Sequence, residues 1–203
     1  MKIIFIGPQG SGKGTQAKII SEELNIPHIS TGDLFRSLEG KSKEEVDSFV
    51  YKGQLVPDEL TVKILKERIS KPDCREGFIL DGFPRNLNQA KLLEIITKID
   101  KVILINITNA LAIERISSRI SCKKCGAVYN TITNLPKRKD ICDRCGGELY
   151  RRADDNLQAI KKRLQTYHNE TKPILEMYKD KLITIEGAQE IDKISMDIIE
   201  VLK

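Results

Sequence analysis

The sequence lacks any apolar run of the length that a membrane-spanning helix needs. A span requires about 18 consecutive apolar residues, and runs such as Ile3–Ile6 and Val102–Ile105 are far shorter. The segment before Gly7 holds Lys2 and five apolar residues, which is too short for a signal peptide. We therefore expect a cytoplasmic protein with no membrane partner.

Aromatic residues are also scarce, at 5% of the chain, and tryptophan is absent. The 34 basic residues exceed the 29 acidic residues by five, and residues 121–152, with eight basic and three acidic residues, account for the whole excess. A net positive charge can indicate nucleic-acid binding. A length of 203 residues predicts one core with insertions rather than two full domains.

Strand and helix patterns alternate along the chain. Strand patterns cover Lys2–Ile6, Pro27–Ser30, Gly77–Asp81, Val102–Ile105 and Leu182–Ile185. Helix patterns cover Lys13–Leu24, Thr31–Leu38, Lys43–Tyr51, Asp58–Ile69, Asn86–Ile96, Asn109–Ile120, Asp154–Tyr178 with a break near Pro173, and Ile191–Leu202. This alternation predicts an α/β fold in which helices flank a five-stranded parallel sheet.

A glycine-rich loop joins the first strand to the first helix. The pattern Gly-x4-Gly-Lys spans Gly7–Lys13, and in this setting the backbone N–H groups and the helix N-terminus form an anion site, while Lys13 reaches the phosphates. The residue after Lys13 is Gly14, so the hydroxyl that usually holds Mg²⁺ is absent and Thr15 comes one place late. Another group must therefore hold the magnesium.

Four of the five cysteines form two Cys-x-x-Cys pairs, Cys122 with Cys125 and Cys142 with Cys145, and each pair is followed by glycine. Two such pairs are typical of a tetrahedral zinc site. Because sulfur would fill all four positions, no position is left for a catalytic water, so we expect a structural ion. Cys74 is expected to be an ordinary thiol.

The phosphate loop and the basic cysteine segment leave two hypotheses open. One is a nucleic-acid-dependent ATPase, and the other is a small-molecule kinase, which must neutralise phosphates on two substrates at once. The cysteine segment offers only Tyr129 and Tyr150 for base stacking, which favours the kinase. So does a set of arginines at suggestive positions: Arg36, Arg85, Arg115, Arg119, Arg152 and Arg163.

Over its full length the chain resembles the adenylate kinase family, in the long form with a zinc-bearing lid. The most specific segment is Asp81-Gly-Phe-Pro-Arg85, and the other matches include Gly7–Thr15, Ser30–Asp33, Gly53–Asp58, the four cysteines and Arg152–Asp155. The resemblance implies a P-loop core (1–29, 57–120 and 153–203), a helical AMP-binding insert (30–56) and a zinc-binding lid (121–152). It also implies Mg-dependent transfer of a phosphoryl group from ATP to AMP, with ATP, AMP and ADP as partners, no nucleic acid, and a monomer.

The resemblance also assigns roles to individual residues. Catalytic roles fall on Lys13, Asp81, Arg85, Arg119, Arg152 and Arg163. ATP would be bound by Gly10, Ser11, Gly12, Lys13, Gly14, Thr15, Arg115, Arg119 and Gln189. AMP would be bound by Thr31, Arg36, Gln54, Leu55, Val56, Gly82, Arg85, Gln89, Arg152 and Arg163. Asp154 and Asp155 would form the lid hinge, Asp81 would hold Mg²⁺ through water, and Cys122, Cys125, Cys142 and Cys145 would bind Zn²⁺.

A few positions depart from the family pattern. Gln9 replaces a common proline, Asn130 stands where histidine is frequent, and the region Ser37–Tyr51 is about one helical turn short. His28 and His168 occupy no matching catalytic position, so we expect both to be structural. Thr31 favours AMP, because relatives that prefer pyrimidine monophosphates resemble this chain with alanine there, although another nucleoside monophosphate remains an alternative.

Overall fold

The computed structural model describes residues 1–50, 54–152 and 155–203. Its centre is a five-stranded parallel sheet with the strand order β2-β3-β1-β4-β8. The strands are β1 (Lys2–Ile6), β2 (His28–Ser30), β3 (Phe78–Asp81), β4 (Lys101–Asn106) and β8 (Leu182–Glu186). The α/β fold with a parallel sheet is thus confirmed.

Helices cover both faces of this sheet. They are α1 (Lys13–Leu24), α2 (Thr31–Arg36), α3 (Gly40–Val50), α4 (Asp58–Ile69), α5 (Leu87–Ile96), α6 (Asn109–Ser117), α7 (Leu157–Thr166), α8 (Ile174–Met177) and α9 (Ile191–Leu202). Strand β1 shows why two layers form: Ile4 and Ile6 enter one buried apolar cluster, whereas Ile3 and Phe5 enter the other. Among the described residues, none of the helices combines the length and the apolar character needed to cross a membrane.

A second sheet projects between α6 and α7. It is antiparallel with the order β6-β5-β7, built from β5 (Arg119–Cys122), β6 (Val128–Asn130) and β7 (Leu149–Tyr150). A small apolar cluster of its own, including Tyr129, Leu149 and Ile120, packs beneath the cysteines. We call residues 119–150 the cysteine ribbon.

Two helix predictions are wrong in their extent. The helix expected over Asn109–Ile120 ends at Ser117, because Arg119 already pairs with Asn130 in the cysteine ribbon. The long helix expected from Asp154 is divided: α7 begins after the N-cap Asn156, and a π-helix over Tyr167–Thr171 separates it from α8. Pro173, which has no N–H to donate, follows this π-helix.

Candidate functional site

A large cleft opens at the carboxyl end of the parallel sheet, where ligands bind in open α/β folds. Its volume is about 1520 Å³, which exceeds the roughly 300–1000 Å³ of ordinary single-ligand pockets. All the residues that we expected to bind ATP or AMP line this cleft, from Gly10–Thr15 of the phosphate loop to Gln189 ahead of α9. The cleft therefore brings both expected nucleotide sites into one space.

Lys13 lies at the floor of the cleft, at the first residue of α1. Its ammonium group donates hydrogen bonds to the backbone oxygens of Gly7 (2.8 Å) and Pro8 (3.0 Å). Burial lowers the pKa of Lys13 to about 8; the Asp81 carboxylate opposes this shift, whereas the guanidinium groups of Arg85 and Arg119 add to it. A positive charge held against burial and like charges is poised to receive an anion.

Asp81 is the last residue of β3, and its side chain is 14% exposed. Its Oδ2 lies 3.5 Å from Nε2 of His28 and 3.2 Å from where a Cβ on Gly14 would lie. Burial raises the pKa of Asp81, but His28, Lys13 and Arg85 outweigh burial and bring the pKa below its ordinary value. An ionised carboxylate thus lies directly beside the position that a side chain at residue 14 would take.

The expected acceptor pocket is built around Gly82. The hydroxyl of Thr31 donates to the Gly82 oxygen (3.0 Å), and Arg85 Nε donates to the same oxygen (2.7 Å). Gly82 has a φ of +80°, and a Cβ there would lie 2.8 Å from the Thr31 hydroxyl, so a side chain at this position would push the pocket apart.

Arg85 points into a group of positive charges. Burial lowers the pKa of Arg85, and the charges of Arg163 and Arg36 add to this effect, whereas Asp81 opposes it. Arg36 is held on α2 by a hydrogen bond of 2.5 Å to Asp33. A guanidinium group that lies near two others of like charge forms a site for a phosphate, which would neutralise them.

A second set of arginines lies at the base of the cysteine ribbon. Asp155, with a side chain only 5% exposed, accepts two hydrogen bonds from Arg119 (2.5 and 2.9 Å), and Arg163 Nη1 lies 3.6 Å from the same carboxylate. Arg152 donates from Nε to the Ser121 hydroxyl (3.1 Å). Asp155 therefore aligns two arginines toward the cleft, while Asp154 lies outside the described residues.

Asn130 joins the cysteine ribbon to the end of α6. Its Nδ2 donates to the Ser118 hydroxyl (2.7 Å) and to the Arg115 oxygen (3.3 Å), while its Oδ1 accepts from the backbone N–H groups of Ile132 and Thr133. Asn130 thus uses both ends of its amide to hold the cysteine ribbon against the end of α6.

The four cysteines expected to bind metal come together at the tip of the ribbon, with all their sulfurs within 4.8 Å of one another. Cys122 Sγ lies 3.5 Å from Cys145 Sγ, and Cys125 Sγ lies 3.6 Å from Cys142 Sγ. A tetrahedral zinc ion with bonds of ~2.3 Å would set its ligands about 3.8 Å apart. The donor set and its spacing therefore fit zinc.

Sequence reasoning missed Tyr129 as a support for this cluster. Its hydroxyl accepts from the Asp143 N–H (2.8 Å), which leaves its hydrogen for Cys142 Sγ at 3.5 Å. Hydrogen bonds of this kind stabilise a thiolate and orient it toward a metal. No local pattern could have revealed the contact, because Tyr129 and Cys142 are thirteen residues apart.

Sequence reasoning also missed two polar residues beside Arg85. Asp58, the first residue of α4, accepts three side-chain hydrogen bonds from the region of α5, and Thr171 donates from its hydroxyl to the Arg85 oxygen (2.7 Å). An acidic residue in the first turn of a helix normally indicates only an interaction with the helix dipole, so the position of Asp58 gave no sign of these contacts.

Comparisons with known proteins agree on one family. The adenylate kinase family model matches residues 5–183 of the chain. The chain is 50% identical over 208 residues to the adenylate kinase of Methanocella arvoryzae, which covers 98% of this chain and 96% of that protein. It is 45% identical over 213 residues to the adenylate kinase of Thermosipho melanesiensis, with full coverage of both. It is 47% identical over 216 residues to the adenylate kinase of Clostridioides difficile, covering 100% of this chain and 98% of that protein.

Proposed function

Because the chain belongs to the adenylate kinase family of nucleoside monophosphate kinases, we propose that its cleft carries out the reversible reaction Mg·ATP + AMP to Mg·ADP + ADP. The observation that carries the proposal is the pairing of two cationic centres in one cleft. Lys13 of the phosphate loop and Arg85 of the acceptor pocket are close enough for each to act on Asp81. An ATPase needs one phosphate site, whereas a kinase with a phosphate acceptor needs two.

The donor nucleotide is proposed to bind on the phosphate-loop side. Backbone N–H groups of Gly10–Thr15 and the Lys13 ammonium would hold its phosphates. Arg119 would face the transferring phosphoryl group, and Arg115 and Gln189 would lie against the adenosine. The location of all these residues along the cleft supports the assignment.

The acceptor is proposed to bind on the side of α2 and β3. Arg36 and Arg85 would hold the AMP phosphate, Thr31, Gly82 and Gln89 would lie toward the nucleoside, and Gln54–Val56 would line it. Arg152 and Arg163 would reach the phosphates of both substrates. The lowering of the Arg85 pKa by the charges of Arg36 and Arg163 supports the placing of a dianionic phosphate beside Arg85.

The proposed transfer requires neither a covalent intermediate nor a strong base. An oxygen of the AMP phosphate is already a nucleophile, so the residues need to align the two phosphates, neutralise charge and exclude water. Asp81 fits as the carboxylate that holds Mg²⁺ through water, since magnesium prefers oxygen ligands and Asp81 is ionised at the cleft floor. When bound, Mg²⁺ would neutralise charge on the donor phosphates.

The insertions are proposed to work as moving parts around the core of residues 1–29, 57–120 and 153–203. Residues 30–56 would close over AMP. Residues 121–152, stabilised by Zn²⁺ at the four cysteines, would close over ATP with Asp154 and Asp155 at the hinge, and closure would exclude water from the transfer. The contact of Arg119, where the ribbon begins, with Asp155 beyond its end supports a hinge at this point.

We further propose a cytoplasmic monomer with no membrane or nucleic-acid partner. Four cysteines grouped as metal ligands suit a reducing compartment, in which thiols are not consumed by disulfides. The concentration of basic side chains such as Arg119, Arg152 and Arg163 along the cleft suits small phosphorylated substrates.

A coupled assay of ADP formation over a panel of nucleoside monophosphates, with ATP and Mg²⁺, tests the function. We expect rapid ADP formation with AMP, dependence on Mg²⁺, and tight inhibition by two adenosines joined by five phosphates. ATP hydrolysis that needs DNA or RNA and ignores AMP would overturn the proposal, and a preference for another monophosphate would correct the substrate.

A further inference from the structure

The contacts of Asp58 converge on the region around Arg85. Its carboxylate accepts from Asn86 Nδ2 (2.9 Å), Asn88 Nδ2 (2.7 Å) and Gln89 Nε2 (2.8 Å). Asp58 begins α4, whereas its three partners belong to the start of α5. One carboxylate therefore ties the element that follows the AMP-binding insert to the turn that carries Arg85.

Gln89 continues this chain of contacts to Arg85 itself. Its side-chain oxygen accepts the Arg85 backbone N–H (2.8 Å), and Gln89 is only 2% exposed. A carboxylate can only accept hydrogen bonds, so Asp58 requires the NH2 end of the Gln89 amide to face it, and the oxygen then faces Arg85. Without Asp58 the amide is free to turn and present a donor to the Arg85 donor.

Arg85 is fixed from the opposite side as well. Its backbone oxygen accepts from the Thr171 hydroxyl (2.7 Å), at the end of the π-helix, and its Nε donates to Gly82 (2.7 Å). The backbone of this residue is thus clamped between Gln89 and Thr171. The clamp thus holds the backbone of a residue whose guanidinium lies near the charges of Arg36 and Arg163.

We propose that Asp58 is a positioning residue for Arg85: by orienting the Gln89 amide, it fixes the guanidinium that receives the acceptor phosphate. The proposal rests on the proposed function, since it takes Arg85 to be the AMP phosphate ligand. It predicts that changes at Asp58 alter AMP use selectively, whereas a purely structural role at the start of α4 would alter both substrates and the unfolding temperature together.

The test compares Asp58→Ala, Asp58→Asn and the matched control Asp73→Asn. Asp73 also accepts side-chain hydrogen bonds, from Arg68 (2.7 and 3.0 Å). Neither Asp73 nor its partner Arg68 lines the cleft. We expect Asp58→Ala to lower kcat/KM for AMP about tenfold or more, with KM for ATP within about twofold of the parent. Asp58→Asn keeps one acceptor oxygen and should recover much of the loss, whereas Asp73→Asn should change neither KM.

Thr171→Val gives a second test that leaves Asp58 intact. It removes the hydroxyl donor on the other side of Arg85 while keeping the shape of the side chain, and it should also raise KM for AMP selectively. Titration calorimetry with AMP alone should show the same weakening as the kinetics for both positions. If Asp58→Ala does not fold, Asp58→Asn decides the proposal, because the loss that remains in it should fall on AMP and not on ATP.

Several outcomes would overturn the inference. These are an unchanged kcat/KM for AMP in Asp58→Ala, equal losses for AMP and ATP, or a loss that appears only as a lower unfolding temperature. A parent protein that forms no ADP from AMP would instead overturn the proposed function, so the two failures are distinguishable.

Discussion

Raising the pH from 7.5 to 9 should weaken the binding of Mg·ATP about eightfold, because Lys13 must take up a proton when the triphosphate arrives. In the empty cleft burial lowers the pKa of Lys13 to about 8. The phosphate charges favour the charged amine, so in the complex its pKa returns to at least the ordinary value of about 10.4. Affinity is therefore full well below pH 8 and falls as the pH rises through 8.

The magnitude follows from the two pKa values. At pH 9 only about one Lys13 in eleven is protonated in the empty cleft, whereas nearly all are protonated in the complex, so about 0.9 proton is taken up per ATP bound. At pH 7.5 about three quarters are already protonated in the empty cleft, and the uptake falls to about 0.2.

Titration calorimetry at both pH values, in buffers of different ionisation enthalpy, measures affinity and proton uptake directly. The arginine-bound acceptor phosphate provides the control: AMP affinity should change little over this range. Lys13→Arg provides another, since arginine stays charged throughout and should remove the pH dependence of whatever ATP binding remains. An ATP affinity that is constant from pH 7.5 to 9, with no proton uptake, would refute the reasoning.

Three further predictions concern the cysteines, Arg85 and Gly14. Cys142→Ser should lower the unfolding temperature by several degrees in calorimetry, and so should removal of zinc by a chelator followed by return of Mg²⁺. Most low-temperature activity should survive either change. A metal-free protein with full stability would contradict a structural ion. Arg85→Ala should lower kcat by about 10²-fold or more without lowering the unfolding temperature, because it relieves repulsion from Arg36 and Arg163; a near-normal rate would remove Arg85 from the mechanism. Gly14→Ala adds a Cβ without a hydroxyl that could itself bind Mg²⁺. It should shift Asp81, whose carboxylate lies 3.2 Å from the added Cβ, and should raise the Mg²⁺ concentration needed for half-maximal rate; an unchanged Mg²⁺ requirement would contradict Asp81 as the metal-binding carboxylate.

Local patterns predicted much of the fold. The bounds of β1, α1, α4 and α9 match the predictions. Apolar spacing marks each segment, the glycine-rich loop precedes α1, and acidic residues stand in the first turns of α4 and α9. The helix predicted over Asn109–Ile120 ends early because of packing between elements that are distant in the sequence. Ile116 and Ile120 have helical spacing, but Ile116 packs in the cluster around α6 and α7, whereas Ile120 packs under the cysteines. Two residues at helical spacing thus belong to two different apolar clusters, and only the first of them is in a helix.

Some parts of the candidate site could likewise be predicted from the sequence, and others could not. The phosphate loop and the cysteine pairs could be predicted because each is a motif of a few consecutive residues. The clamp on Arg85 could not, since Asp58 and Gln89 are 31 residues apart and Thr171 is a further 82 residues along. Amides, hydroxyls and carboxylates pair in many ways, and only the packing of α4 and α5 together with the position of the π-helix selects these partners.

The self-contained construction of the cysteine ribbon has an evolutionary consequence. Its sheet, its apolar cluster and its four sulfurs all lie within residues 119–150, and a single residue, Ser118, separates it from α6. Little of its packing depends on the parallel sheet, so loops such as the one around Ile132 and Leu135, whose side chains are 60% and 64% exposed, can lengthen, shorten or change composition without repacking the core. Selection can therefore act on the ribbon as an exchangeable module. Chimeras in which residues 119–150 are exchanged between relatives should retain the folded core.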